Sequence, residues 1–179
     1  MVSEWKMRQE IPDGQVRDAA EQFMSAWKLL EKQPRSGILL PLINTAAVAI
    51  ELYLKCLSSE VIYTPDDQMD GWHTVTAKPQ RFGHTLGEIL NKIPRHHQLE
   101  IQQTYADKHA NDSRTFEDVL GSLEGAFMES RYPFEKNHNV ARYSLNDLKN
   151  VCELLSKYVT DIKYKETIHW SIGDTPNQT

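Results

Sequence analysis

Residues 144–162 read SLNDLKNVCELLSKYVTDI, and the apolar positions Leu145, Leu148, Cys152, Leu155, Val159 and Ile162 recur at steps of three and four. That period places them on one stripe of an α-helix about five turns long. Ser144 is suited to cap its N-terminus, because its hydroxyl can accept a hydrogen bond from an otherwise unpaired N–H of the first turn. A stripe of this length needs another long helix to pack along. The chain offers two. Ile43, Ala47, Ile50, Leu54 and Leu57 form the most apolar segment. Val16, Ala20, Phe23, Trp27 and Leu30 form an earlier one, opening after Pro12 with Asp13 as N-cap and ending near Gln33-Pro34. The breaker run Pro34-Arg35-Ser36-Gly37 separates the two.

Between these long elements the signals are shorter. Residues 63–82 collect Pro65, Asp66, Asp67, Asp70, Gly71 and Pro79 and lose helical periodicity, which predicts a long loop. Thr85 with Glu88 three residues on has the capping-box pattern and opens a short helix through Ile89, Leu90 and Ile93. Pro94 interrupts or restarts it, and a further helix runs to about Lys108. After the turn-like Ala110-Asn111-Asp112-Ser113, Thr115 and Asp118 form a variant capping box ahead of a stripe at Phe116, Val119, Leu120, Leu123 and Phe127. No strand-length alternation stands out. The reading is an all-α chain, a five- or six-helix up-and-down bundle in one domain over 1–179, with its core at about 13–165 and a polar, frayed tail at 173–179.

Of the 179 residues 40% are hydrophobic and 25% charged, a globular composition. Cys56 and Cys152 sit inside apolar helical patterns with no paired spacing, so they read as reduced core thiols. The first residues lack the basic-then-apolar order of a signal peptide and no stretch approaches about 18 apolar residues, which makes the cytoplasm the expected location and a membrane an unexpected partner. The net charge of −5 argues against broad, sequence-independent nucleic-acid binding. Locally the balance reverses: from Arg131 to Lys149 the chain carries Arg131, Lys136, Arg142 and Lys149 against Glu135 and Asp147. Such a patch can steer an anionic ligand.

Three segments carry a family likeness: Ala49-Ile50-Glu51-Leu52-Tyr53-Leu54-Lys55, then Gly83-His84-Thr85-Leu86 opening the next helix, then Arg131-Tyr132-Pro133-Phe134-Glu135-Lys136-Asn137-His138. In this order they resemble the HEPN domain family, whose pattern is an arginine, four to six residues, then a histidine. The resemblance implies a helical bundle that pairs as a homodimer, with Arg131 and His138 of both copies meeting in one cleft to cleave RNA without metal or other cofactor. It also implies a setting of toxin–antitoxin or phage-defence systems, with a nucleotidyltransferase-like antitoxin as a partner. Active members often follow the arginine with a small polar residue, whereas this chain has Tyr132. The alternative is therefore a non-catalytic HEPN-like module that binds a nucleotide or a protein in the same cleft.

The residue types suit the reaction. Histidine changes charge near neutrality and can move a proton, while arginine stays charged and can grip phosphate oxygens with two N–H groups. Pro133 disfavours helical geometry at Tyr132, so the helix bearing Arg131 should stop there and leave His138 on a turn. On residues alone the plainer reading is that Arg131 caps a helix C-terminus and His138 is a surface loop residue; the resemblance is what turns the pair into a site. Glu51 and Lys55, four apart, form an ordinary helix-surface pair or, under the resemblance, support the site together with Tyr132, with Glu51 orienting Arg131. His84 reads as a helix-start residue. His96-His97, His84 and His109 lack metal-ligand spacing. Trp5, Trp27, Trp72 and Trp170 read as packing anchors, since no basic residues interleave with them.

Overall fold

The computed structural model describes residues 5–8, 12–34, 37–65, 69, 72–79 and 83–162. The tail at 173–179 and Trp170 lie outside the described residues. The chain folds as an α-helical bundle, as the spacing predicts, around two long helices: α1 (Gly14–Glu31) and α2 (Leu39–Cys56). Then come α3 (Leu86–Lys92), α4 (Arg95–Lys108), α5 (Phe116–Ser122), α6 (Ala126–Arg131) and α7 (Leu145–Asp161). A short 3-10 turn, Val140–Arg142, leads into α7.

Side-chain caps set the starts of α1, α5 and α7. Asp13 accepts a hydrogen bond from Val16 N at 2.9 Å and Ser144 from Asp147 N at 3.1 Å. Thr115 and Asp118 make the reciprocal box, each side chain bonded to the other's backbone N–H. The box expected at Thr85 and Glu88 does not form. Instead Leu86 N donates to both carboxylate oxygens of Glu124, at 3.1 and 3.0 Å, so a distant residue satisfies the first turn of α3.

Core packing centres on α2, which meets α1, α3, α6 and α7. Ile43, Ala46, Ile50 and Leu54 of α2 are sealed against Ala20, Met24 and Trp27 of α1 and Leu148, Val151, Cys152 and Leu155 of α7. Truncating one such leucine or isoleucine to alanine costs about 2–5 kcal/mol. By length and composition α2 could also cross a membrane, and more than half of it is buried inside the bundle. Both thiols are buried and unpaired: Cys152 Sγ donates to Ala46 O at 3.3 Å and Cys56 Sγ to Tyr53 O at 3.0 Å. Burial pushes both thiols well above the usual range, leaving little reactive thiolate. Arg114 ties α7 to the loop ahead of α5, gripping Asp147 through two N–H groups at 2.9 and 3.1 Å and Asp112 at 2.8 Å.

Two expectations need correction. The segment read as a loop at 63–82 carries strand: β2 (Ser59–Pro65) and β3 (His73–Pro79) form an antiparallel hairpin, and β1 (Trp5–Arg8) adds to the other edge of β2 in the order β1-β2-β3. Tyr63 stands opposite Val75 on one side and Trp5 on the other. The second correction is at the stripe from Phe116 to Phe127, which is not one helix. It breaks at Leu123–Gly125, where Gly125 adopts φ 84°, a left-handed conformation that a glycine takes without the Cβ penalty. Of the tryptophans, Trp27 is buried, whereas Trp72 is exposed rather than an anchor.

Candidate functional site

The break at Gly125 aims the short helix α6. Reversing the chain there frees the carbonyl of Glu124, which accepts from Tyr143 Oη at 3.0 Å and Arg142 Nη2 at 3.0 Å. A methyl group on Gly125 would meet Tyr143 Oη at 3.1 Å and Arg142 Nη2 and Glu129 Oε1 at 3.3 Å. The far end of α6 is pinned to α2, since Asn44 Nδ2 donates to Phe127 O at 3.3 Å and to Ser130 Oγ at 3.1 Å. Asn44 thereby fixes the turn from which Arg131 leaves.

Arg131 ends the helix, with Tyr132 as its C-cap, where Pro133 predicts the stop. Its guanidinium carbon lies 5.5 Å from the Phe127 ring centre and 5.4 Å from that of Tyr132. Among the described residues no carboxylate or carbonyl takes its N–H groups. The cation is therefore held by two aromatic faces, which attract it without using its hydrogen-bond donors.

His138 lies on the turn that follows. Tyr132 O accepts from Glu135 N at 3.1 Å, and Asn137 at φ 74° turns the chain back, a conformation asparagine tolerates better than most residues. The half-buried imidazole then places Nδ1 2.6 Å from the same Tyr132 O. A carbonyl can only accept, so Nδ1 carries the proton and in the neutral ring the lone pair sits on Nε2. Nε2 is 3.8 Å from Glu135 Oε2. Arg131 and His138 are thus tied through the residue after the arginine.

Glu51 and Lys55 form the pair that their four-residue spacing predicts. Among the described residues no hydrogen bond or ion pair joins Glu51 to Arg131. Its carboxylate is 2.5 Å from Lys55 Nζ and 3.0 and 3.1 Å from His84 Nδ1, so the pair is nine-tenths buried at the carboxylate rather than a solvated surface bridge. Such a partly desolvated, doubly bonded carboxylate is a firm anchor for the ring it holds. His84 also packs on Phe127, ring centres 5.3 Å apart, so Phe127 is touched by both Arg131 and His84. Glu51, His84 and Phe127 line a cleft of about 200 Å³ together with Ala47, Leu86 and Glu124. Sequence reading treats His84 as a helix-start residue. Its carboxylate partner lies 33 positions away, and only the tertiary fold joins them.

The local basic patch resolves into two halves. Arg142 pairs with Glu129 and Lys149 with Glu31, each at 2.7 Å. Among the described residues Arg131 and Lys136 have no such partner, so the uncompensated positive charge gathers at the Arg131–His138 turn. Comparison with protein-family models, with curated proteins and with solved structures finds no match to this chain. Among the described residues no three His, Cys, Asp or Glu side chains gather where they could hold a metal ion. His96 and His97 stack on each other, and His97 Nδ1 lies 2.6 Å from Tyr158 Oη, which occupies it structurally. A guanidinium with no acceptor among the described residues, on the same turn as an imidazole whose Nε2 lies 3.8 Å from Glu135 Oε2, supplies residue types that bind a phosphodiester and take a proton from a hydroxyl.

Proposed function

We propose that this chain is a HEPN-like endoribonuclease acting on RNA in the cytoplasm without a metal. The observation that carries the reading is the state of Arg131: a cation fixed on Phe127 and Tyr132, its N–H groups without an acceptor among the described residues, one residue from the carbonyl that sets the tautomer of His138. His138 Nε2 takes the proton of a ribose 2′-hydroxyl. The 2′-oxygen bonds to phosphorus, the bond to the 5′-oxygen breaks, and Arg131 compensates the charge that grows on the non-bridging oxygens. The products are a 2′,3′-cyclic phosphate and a 5′-hydroxyl. Two copies paired as a homodimer would double the cation and the histidine. Phe134, 82% exposed, and Met128 offer apolar surface beside the turn for such a contact. A nucleotidyltransferase-like antitoxin is the partner the family resemblance suggests.

Tyr132 supports a second reading. Its ring meets that of Phe134 edge-on at 6.4 Å, and an aromatic pair beside an arginine is also what a non-cleaving binder of nucleotides would use. Purified protein incubated with single-stranded RNA in excess EDTA separates the two. Nuclease action predicts cyclic-phosphate ends, with a loss of about 10²-fold or more in His138→Ala and in Arg131→Ala. Intact RNA with an affinity that Arg131→Ala weakens supports the binder. Cleavage unchanged in the double variant, or abolished by EDTA, overturns the mechanism.

A further inference from the structure

The reaction proposed above needs a second proton carrier. His138 removes a proton from the attacking hydroxyl, and the departing 5′-oxygen, a poor leaving group as an alkoxide, must receive one. We infer that His84 is that group, a general acid within the same chain, oriented by Glu51 and Lys55. This inference rests on the nuclease reading.

Four observations carry it. His84 lines the cleft, and its side chain is 57% exposed, so solvent and a ligand can reach it. Its Nδ1 faces both oxygens of Glu51, an acceptor-only group, so Nδ1 bears a proton in every charge state of the ring and the exchangeable site is Nε2. Among the described residues Nε2 has no hydrogen-bond partner, although most polar groups nearby do: Glu51 is held by Lys55, and Glu124 by Leu86 N. Finally, Phe127 packs against both His84 and the guanidinium of Arg131, which puts the imidazole one aromatic ring away from the cation that would hold the phosphate. A carboxylate–histidine pair opening on a cleft, with its outer nitrogen unused, is more than helix capping requires. The first N–H of α3, that of Leu86, is in any case taken by Glu124.

The step balances. The 2′-oxygen–phosphorus bond forms and the phosphorus–5′-oxygen bond breaks. The proton of the 2′-hydroxyl passes to His138 Nε2, and the proton on Nε2 of the doubly protonated His84 passes to the 5′-oxygen. Exchange with water restores both rings. Glu51 keeps its hydrogen bond to Nδ1 throughout and compensates the charge of the ring before transfer; Lys55 holds Glu51 in place.

The test uses two oligoribonucleotides of one sequence, one natural and one with sulfur in place of the scissile 5′-oxygen, since a thiolate departs without a proton. On the natural strand His84→Gln should slow cleavage by about 10²-fold or more. On the thio strand it should cleave within a few-fold of wild type. His138→Gln should be impaired on both. Glu51→Gln, which loosens the ring without removing it, should follow His84→Gln with a smaller loss and keeps the test open if His84→Gln does not fold. Equal losses on both strands, or none on the natural one, overturn the role of His84 while leaving the nuclease intact. A wild-type protein that cleaves neither strand overturns the nuclease reading, and this inference with it.

Discussion

Replacing Gly125 with alanine perturbs the site without touching any group proposed to react. The residue sits at φ 84°, where an L side chain costs about 1–2 kcal/mol. The new methyl also meets Tyr143 Oη at 3.1 Å and Arg142 Nη2 and Glu129 Oε1 at 3.3 Å, inside comfortable contact. Those atoms must retreat, loosening one or both hydrogen bonds to Glu124 O, each worth about 0.5–1.5 kcal/mol. Against this, alanine restricts the unfolded chain and returns about 0.4–1 kcal/mol. The net expectation is a loss of about 2 kcal/mol. Urea unfolding followed by circular dichroism reads it as a lower midpoint at unchanged slope. In a Tyr143→Phe background the hydroxyl is gone, so the same glycine change should cost about 1 kcal/mol less than in wild type. A loss under about 0.5 kcal/mol for Gly125→Ala would refute the account of this turn. So would an equal loss in both backgrounds, since it would leave the crowding at Tyr143 without effect.

Acid should unfold the protein through a small set of carboxylates. Hydrogen bonds from Arg114 hold Asp112 down to about 2, and the backbone and side chain of Thr115 hold Asp118 below its ordinary value. At Glu129 burial works toward protonation, yet Asn139 N, Tyr143 and Arg142 outweigh it and keep the group low. Groups depressed in the folded state contribute stability that is complete above their unfolded values near 4 and is lost as pH falls toward about 2. A pH titration of the melting temperature should therefore be flat from about pH 5 to 8, fall below about 4, and fall again in alkali, where the buried thiols of Cys56 and Cys152 resist the ionisation open to the unfolded chain. Arg114→Met should lower the plateau and make the fall shallower, and identical profiles for both proteins would count against it. Asn44→Ala removes the tie between α2 and the last turn of α6, so it should cost about 1 kcal/mol in stability. Because that turn aims Arg131, RNA cleavage should fall by up to about 10²-fold at temperatures where the variant remains folded, and full activity would deny Asn44 this positioning role.

Local signals made the helices legible. The three-four stripes of α1, α2 and α7 depend only on neighbours a turn away, as do the caps at Asp13, Thr115 and Ser144. The sheet escaped because the turn-rich run around Pro65-Asp66-Asp67 and Asp70-Gly71 outweighed two short strand signals, Val61-Ile62-Tyr63-Thr64 and Thr74-Val75-Thr76. β1 is remote in sequence and pairs only once the chain folds. The break at Gly125 was hidden for another reason: Leu123 and Phe127 keep the helical spacing across it, and only the glycine marked a possible reversal. In the site, Arg131 over Phe127 was readable as a four-residue step along one helix. The partner of Glu51 was not, because nothing within a turn of α2 announces a histidine 33 residues on.

Glu124 joins one wall of the cleft to the approach to α7 by two different ends of one residue. Its carboxylate closes the first turn of α3, directly after His84 and Thr85, while its carbonyl is clasped by Tyr143 and Arg142 at the threshold of α7. The residue works as a hinge pin: neither leaf can swing without withdrawing it. The segment bearing His84 and the helix bearing Arg131 are therefore joined through a short length of backbone, since α6 starts directly after Gly125.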